Sequence, residues 1–393
     1  MDRVGAAGSS YGTTGPLDGT PSRRLLAAAE LAVSPAALID LAVVEAKYHA
    51  LRAALPDAHV LYAVKANPHT GVVRLLAGLR CGFDVASPGE LKRCLMAGAT
   101  PDALSYGNTI KKESAIAEAH RAGVTLFAVD CPMELEKIGR AAPGARIFAR
   151  LGVSGTGAEW PLTHKFGCTI EAAVDLLDEA RRIGLQPAGV SFHVGSQQMV
   201  PDAWRHAIHR ANDVFRQAAR RGIALEFLNL GGGWPAHYAT TPPPLEAYGE
   251  AVYAALRQHF GGSIPKLYVE PGRYLVADAG ILVSEVVLVA ERPHERVPRW
   301  VYVDAGIYAG LEETSGERIR YRLLVPGPAR PSGPVVLSGP TCDSADVLYR
   351  HHVELPLDLA PGEQVIFLSA GAYSATCSSV DFNGFAPLTM QCV

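Results

Sequence analysis

Between about residues 37 and 275 the chain repeats one pattern: a short apolar run ending in a polar residue or glycine, then an Ala/Leu/Glu/Arg-rich stretch with helical periodicity. The runs are HVLYAVK (59–65), FDVAS (83–87), ALSYGN (103–108), TLFAVD (125–130), RIFARL (146–151), GVSFHV (189–194), FLNLGGG (227–233) and KLYVEPG (266–272). Eight β-then-α units predict an α/β fold closed as a (β/α)8 TIM-like barrel, with a doubly wound open sheet as the alternative. Beyond residue 275 the texture changes to β-branched and aromatic segments such as ILVSEVVLV, WVYVDAG, PVVLSG and EQVIFLS, separated by Gly, Pro and Asp turns. They predict an all-β domain, sandwich- or barrel-like, over 276–393, with the proline-rich PGPARPSGP (326–334) as a loop inside it. Residues 1–22 are rich in Gly, Ser, Thr and Pro and predict a flexible tail. Residues 23–36 predict a short segment packing on the β domain.

The polar residues within the pattern are not scattered. Lys65, Asp84, Asn108, Asp130, Arg150, His193, the Gly231-Gly232-Gly233 turn and Glu270 all fall at or just past the C-terminal ends of the runs. In a barrel those ends form one mouth, where active sites lie and where the loops after the last two strands commonly hold phosphate. Composition narrows the partner. Hydrophobic residues make up 48% of the chain and charged residues 19%, and the net charge is −3, so neither nucleic acid nor an anionic membrane finds a basic surface. A small-molecule substrate is expected. No apolar run approaches the ~18 residues of a membrane span, and the first residues lack the basic-then-apolar order of a signal peptide. The seven cysteines are odd in number and without metal-type spacing. Reduced thiols, no bound metal and a cytoplasmic location are expected.

Each candidate residue also has a plain structural explanation. A lysine such as Lys65, ending an apolar strand, is usually a surface amine whose stem covers apolar neighbours; in a partly dry mouth it can instead condense with an aldehyde cofactor. The glycine triplet is more often a tight turn, but it also permits successive N–H groups to cradle a phosphate. Glu270-Pro271-Gly272-Arg273 places an acid and a guanidinium three residues apart around a turn. The arginine can meet phosphate. The carboxylate can keep a pyridine nitrogen protonated, which deepens that ring as an electron sink. His193 reads equally as a core histidine or as an imidazole stacked on a cofactor ring, with Ser196 able to donate to phosphate. Asp84 is a helix cap or an orienting acid. Cys342 and Asp343 follow a Gly-Pro turn in the β domain, where a buried inert thiol is the common outcome, yet a loop thiol can return a proton to a carbanion.

The motifs YAVKAN, FDVASPGEL, SYGNTIKKE, AEWPLTHKFG, SFHVGSQ, NLGGGWP, EPGRYLV, GPTCDSAD, GAYS and FNGF occur in this order over about residues 36–393. Together they resemble the fold type III pyridoxal-5′-phosphate (PLP) decarboxylases, most closely the bacterial and eukaryotic ornithine/lysine decarboxylases. The resemblance implies an alanine-racemase-like barrel plus β domain that pairs head to tail into a homodimer with shared active sites. It implies Lys65 as the Schiff-base lysine, His193 as the ring-stacking residue and Glu270 as the partner of the pyridine nitrogen. Ser196, Gly232, Gly233, Arg273 and Tyr373 are implied phosphate ligands, and Asp84 and Arg150 implied supports of cofactor and lysine. Cys342 and Asp343 are implied to reach the neighbouring subunit's site, the thiol protonating the product carbanion and the carboxylate meeting the distal amine. Phe382 is implied to line the substrate pocket.

Two positions depart from the family pattern. Bacterial relatives tend to read Met-Asp-Glu where this chain has Ser315-Gly316-Glu317, so one acid for the distal amine is missing, with Glu313 or Glu317 the candidates to replace it and an altered substrate the other outcome. Trp234 stands where Phe is usual, and only repacking is expected from it. Three rival functions fit the residues less well. Diaminopimelate decarboxylases usually have Cys-Glu-Ser where this chain has Cys342-Asp343-Ser344 and lack FNGF. Racemases generally place arginine opposite the pyridine nitrogen, against Glu270. Cofactor-free relatives that bind a regulatory protein lose catalytic positions that are all present here.

Overall fold

The structure is a computed structural model that describes residues 17–162 and 165–393. The expected barrel is present and closed. Strands Ala58–Ala63, Gly82–Val85, Leu104–Tyr106, Leu126–Val129, Arg146–Arg150, Gln186–Ser191, Phe227–Asn229 and Lys266–Val269 pair in parallel in that order, and the last returns to the first. Closure excludes the open doubly wound sheet. Alternation along the strands builds the core. Leu126, Ala128, Phe148, Ala188 and Phe227 form an inner cluster with Tyr268 against it. Their chain neighbours, such as Phe127, Val129 and Ile147, belong to the larger cluster beneath the helices.

The helices carry their own start signals. Ser87 caps Pro88–Met96 by accepting from the Glu90 N–H at 3.2 Å, while the Glu90 carboxylate reaches back to the Ala86 N–H at 2.7 Å. Thr169 caps Ile170–Arg182 in the same way through the Ala172 N–H.

Residues after 275 form a sheet-rich second part. The twelve-residue strand Gly280–Glu291 is its centre, pairing antiparallel with Gln364–Leu368 on one side and with Arg299–Val303 on the other. Strand Ala36–Ile39 also lies in this sheet, antiparallel to Gly280–Val283 and parallel to Thr389–Cys392. The expectation of a barrel beginning at residue 37 is therefore corrected: these four residues are buried on both faces, a pattern that suits either sheet, and the barrel proper begins after them. Helix Arg23–Leu31 packs Leu25 and Ala29 onto Leu38, Ile281, Val283 and Ile366 of the same sheet.

Of the expected flexible tail, residues 1–16 lie outside the described residues. Residues 17–22 are tied down: the Leu17 carbonyl accepts from buried Lys47 Nζ at 2.8 Å, the Gly19 carbonyl from Arg322, and Ser22 donates to Asp40 at 2.7 Å. Backbone carbonyls captured by cations from distant segments leave no side-chain pattern for composition to reveal. No described helix is long and apolar enough to cross a membrane.

Candidate active site

Strand parity explains how one mouth collects its chemistry. Tyr268, Phe148 and Phe227 point into the barrel, so residues two positions further along, Glu270, Arg150 and Asn229, point inward one layer higher. Gly189 and Ser191 are in register with Phe227 and Asn229, and His193 continues that row. Ala63 is in register with Asp84, and Lys65, two residues on, stands above it. Lys65 Nζ lies 3.3 Å from Asp84 Oδ2.

These groups shift one another. Asp84 is 5% exposed, whereas 49% of the Lys65 side chain is open to solvent through the mouth. Burial alone would lower the Lys65 pKa, but the Asp84 carboxylate, with Tyr373 and Glu270, outweighs it and holds the amine above its ordinary range. The amine must shed that proton before it can add to a carbonyl. Burial, then repulsion from Asp84, pushes Glu270 up to about 7, against opposing pulls from Lys65, Asn229 and Arg150. Asn229 donates to Glu270 Oε1 at 2.6 Å. His193 is pushed down to about 3 by burial, then by the Arg150 and Lys65 cations. Its Nδ1 accepts from the Gly195 N–H at 3.1 Å, which leaves the ring neutral with its proton on Nε2. Arg150 lies 5.4 Å from the Phe166 ring centre.

The Glu270 shift has a stability consequence with a definite sign. Between about pH 4.5 and 7 the folded, cofactor-free chain binds more protons at this carboxyl than the unfolded chain, so its contribution to stability falls as pH rises through that window. Glu270→Gln stays neutral at all pH. It should raise the melting temperature of the cofactor-free protein at pH 7.5 and raise it less at pH 5; a gain of equal size at both would remove the burial argument.

Next to the acid lies an anion cradle. Gly231 and Gly233 have φ of +66° and +103°, and a Cβ on Gly231 would sit 2.0 Å from the Phe192 carbonyl oxygen, or on Gly232 2.8 Å from His193 Nε2. Only glycine fits this turn. Among the described residues neither Gly232 nor Gly233 donates its N–H to a protein acceptor. Arg273 faces the same region, 4% exposed, with Nε and one terminal nitrogen 3.3 and 3.2 Å from Ser196 Oγ. Tyr373 donates its N–H to the Ala66 carbonyl, and its ring centre is 4.9 Å from the Arg273 guanidinium. A cavity of about 720 Å³ opens from Lys65 past Tyr373, Glu90 and Thr376.

Not every expected residue joins this group. Cys342, Asp343 and Phe382 form a second cluster, in which Phe382 stacks on Tyr308 at 4.2 Å and the Tyr308 hydroxyl donates to Asp343 at 2.5 Å. Cys342 is exposed and donates by N–H and thiol to Asn383 Oδ1. Among the described residues no hydrogen bond or ring contact joins this cluster to Lys65, His193, Glu270 or Arg273 within one chain. An apolar recess of about 870 Å³ adjoins it.

The proposed replacements for the missing acid are both committed elsewhere. Glu313 makes a bidentate pair with Arg273 at 2.5 and 2.7 Å. Glu317 accepts from the Arg350 and His351 backbone N–H groups. Trp234 repacks against Trp204 at 4.6 Å and donates to the Gly231 carbonyl, so it braces the glycine turn. Sequence reasoning missed Asn229 and Tyr238. The first sits two residues past an inward phenylalanine and was accessible by parity; the second has no local signal.

Residues 41–277 match the family described as "Pyridoxal-dependent decarboxylase, pyridoxal binding domain". The chain belongs to this family. As a pyridoxal-dependent decarboxylase it is an enzyme, and its cofactor is pyridoxal phosphate. It is 34% identical to the lysine/ornithine decarboxylase of Selenomonas ruminantium over 90% of this chain and 88% of that one. It is 33% identical to antizyme inhibitor 2 of Xenopus laevis, over 88% of this chain and 78% of the relative. The crystal structure of the Vibrio vulnificus lysine/ornithine decarboxylase complexed with cadaverine superposes with a TM-score of 0.85 at 32% identity, covering 95% of this chain and all of that one.

The residues present fit the cofactor. Asp84 Oδ1 is buried without a hydrogen-bond partner among the described residues, and Gly107 leaves room beside it, since a Cβ there would lie 2.1 Å from that oxygen. An amine for the aldehyde, an acid with a near-neutral pKa for the ring nitrogen, a flat neutral imidazole and an arginine-glycine cradle for the phosphate surround one mouth.

Proposed function

We propose that this decarboxylase removes the α-carboxylate of a basic L-amino acid of the ornithine and lysine class, as a cytoplasmic homodimer whose two sites are each completed by the neighbouring subunit. The observation that carries the reading is the inward row of Lys65, Asp84, His193 and Glu270 above the barrel core, together with the likeness to lysine/ornithine decarboxylases. None of the seven cysteines is paired in a disulfide, which suits a reducing compartment.

When bound, the cofactor supplies a protonated, electron-accepting ring conjugated to the substrate's α-carbon. Lys65, whose amine stands 3.3 Å from Asp84, would supply the nitrogen that holds the aldehyde carbon. Glu270 keeps a proton on the ring nitrogen, and Asn229 fixes the carboxyl that does so. The His193 ring covers one face and excludes water from it. Gly232, Gly233, Ser196, Arg273 and Tyr373 hold the phosphate, while Asp84 and Arg150 orient the lysine and the ring. Loss of CO₂ leaves the bonding electron pair on the α-carbon, which takes up one proton. The partner subunit's Cys342 delivers it, and the partner subunit's Asp343 faces the substrate's distal cation near Phe382.

The antizyme inhibitor likeness would favour a non-catalytic binder, but the amine, acid and cradle are all in place. Release of CO₂ from ornithine, lysine and arginine, with mass detection of the amine, tests the reading; no release from any basic amino acid by the PLP-loaded protein would end it.

Specificity carries its own prediction. Gly316 sits in the turn with φ +68°, and nothing lies within 4 Å of where a Cβ would stand, a conformation that aspartate tolerates better than most residues. Gly316→Asp returns a carboxylate to this exposed turn and should lower KM for lysine or ornithine by about two- to fivefold, the worth of an exposed ion pair, with kcat little changed. An unchanged KM for both would show that the turn does not read the distal amine.

A further inference from the structure

We propose that Glu313 is a positioning residue for the cofactor phosphate: delivered by the second part of the molecule, it locks the Arg273 guanidinium so that a single edge remains for the phosphate. The inference rests on the pyridoxal phosphate reading of the mouth. A guanidinium has five N–H donors and two bidentate edges. Glu313 occupies the terminal edge at 2.5 and 2.7 Å. The remaining hydrogen of that outer nitrogen goes to the Tyr238 hydroxyl at 2.7 Å, and the Tyr373 ring lies 4.9 Å from the guanidinium carbon.

What is left is the Nε edge. It meets only Ser196 Oγ, by two long contacts of 3.3 and 3.2 Å. Ser196 accepts both and keeps its own hydrogen to donate. Its segment lies against the glycine turn, because Gln198 N–H donates to the Gly233 carbonyl at 2.9 Å and Gly233 closely approaches Gly195. A phosphate in the cradle therefore meets Arg273 along this edge, side-on, with the orientation set from behind by Glu313.

Glu313 belongs to neither barrel nor cradle in sequence. It comes from the turn Glu312–Glu317, where the Thr314 and Ile319 N–H groups anchor the chain to the Leu311 and Glu313 carbonyls. It is 6% exposed. This contact is also why Glu313 is not available to a substrate's distal cation.

Two effects oppose each other when the carboxylate is removed. Repulsion between it and the phosphate disappears, but a buried arginine with no counter-charge does not hold its place and turns toward solvent. Orientation should win, because the turned arginine removes the phosphate donor altogether.

The test is titration of the cofactor-free protein with PLP and, separately, with pyridoxal, which lacks the phosphate. Glu313→Gln should weaken PLP by about ten- to a hundredfold, the worth of one charge-assisted hydrogen bond, and leave pyridoxal unchanged. Glu313→Asp keeps the charge but is one methylene short of the bidentate reach. It should weaken PLP selectively as well, and it serves should the Gln variant fail to fold. PLP affinity unchanged or tightened in the variants, or PLP and pyridoxal weakened alike, would overturn the proposal. Failure of the wild-type protein to bind PLP would instead strike the cofactor reading on which it rests.

Discussion

Lys65→Ala should abolish turnover, lowering kcat by roughly four decades or more, the scale seen when a covalent nucleophile is removed. The same variant should bind PLP by its phosphate and ring contacts yet give no borohydride-reducible adduct. Alanine also leaves Asp84, 5% exposed, without its cation and close to Glu270, which costs stability by a mechanism unrelated to chemistry. Lys65→Arg separates the two. It keeps a positive charge opposite Asp84 but offers no amine to an aldehyde, so it should fold as the wild type does and remain inactive. Activity within tenfold of wild type in either purified variant would remove Lys65 from the reaction.

The barrel was legible because its signal is local and repeated. Each strand is an apolar run, most of the polar residues at the ends (Lys65, Asp84, Asp130, Arg150, His193 and Glu270, though not Asn108, which follows outward Tyr106) lie on the inward parity, and eight repeats leave one closed solution. The grouping of the candidate site was legible for the same reason: Lys65, Asp84, Arg150, His193 and Glu270 are strand-end residues, and the closed barrel gathers them at one mouth. What was not legible depends on contacts between distant segments. Strand Ala36–Ile39 is apolar at all four positions, and such a run names no sheet; only its pairing with Gly280–Val283 assigns it. Glu313 looked like a spare acid for a substrate, and only folding, which brings it to Arg273 forty residues away in sequence, shows where its charge is spent. Leu17 and Gly19 are held by their carbonyls, which no side-chain pattern encodes.

Cys342→Ala should keep the cofactor, with its spectrum and affinity unchanged, and lose two to four decades of turnover, roughly the worth of a positioned general acid. The exposed thiol and its neighbours Asp343, Tyr308 and Phe382 share no hydrogen bond or ring contact with the mouth of their own chain among the described residues, so a second copy has to bring them there for the thiol to act. In a dimer with crossed sites, each site draws its lysine from one subunit and its thiol from the other. Subunits of Lys65→Ala and Cys342→Ala, each inactive alone, should then regain about a quarter of wild-type activity when mixed and reassociated, because half of the dimers are mixed and each mixed dimer holds one site with both residues intact. If the thiol instead served its own chain's lysine, every site in the mixture would lack one of the two, and no activity would return. Full activity in Cys342→Ala alone would assign the proton to another donor, and the exposed side chain that now donates to Asn383 would be no more than a loop contact.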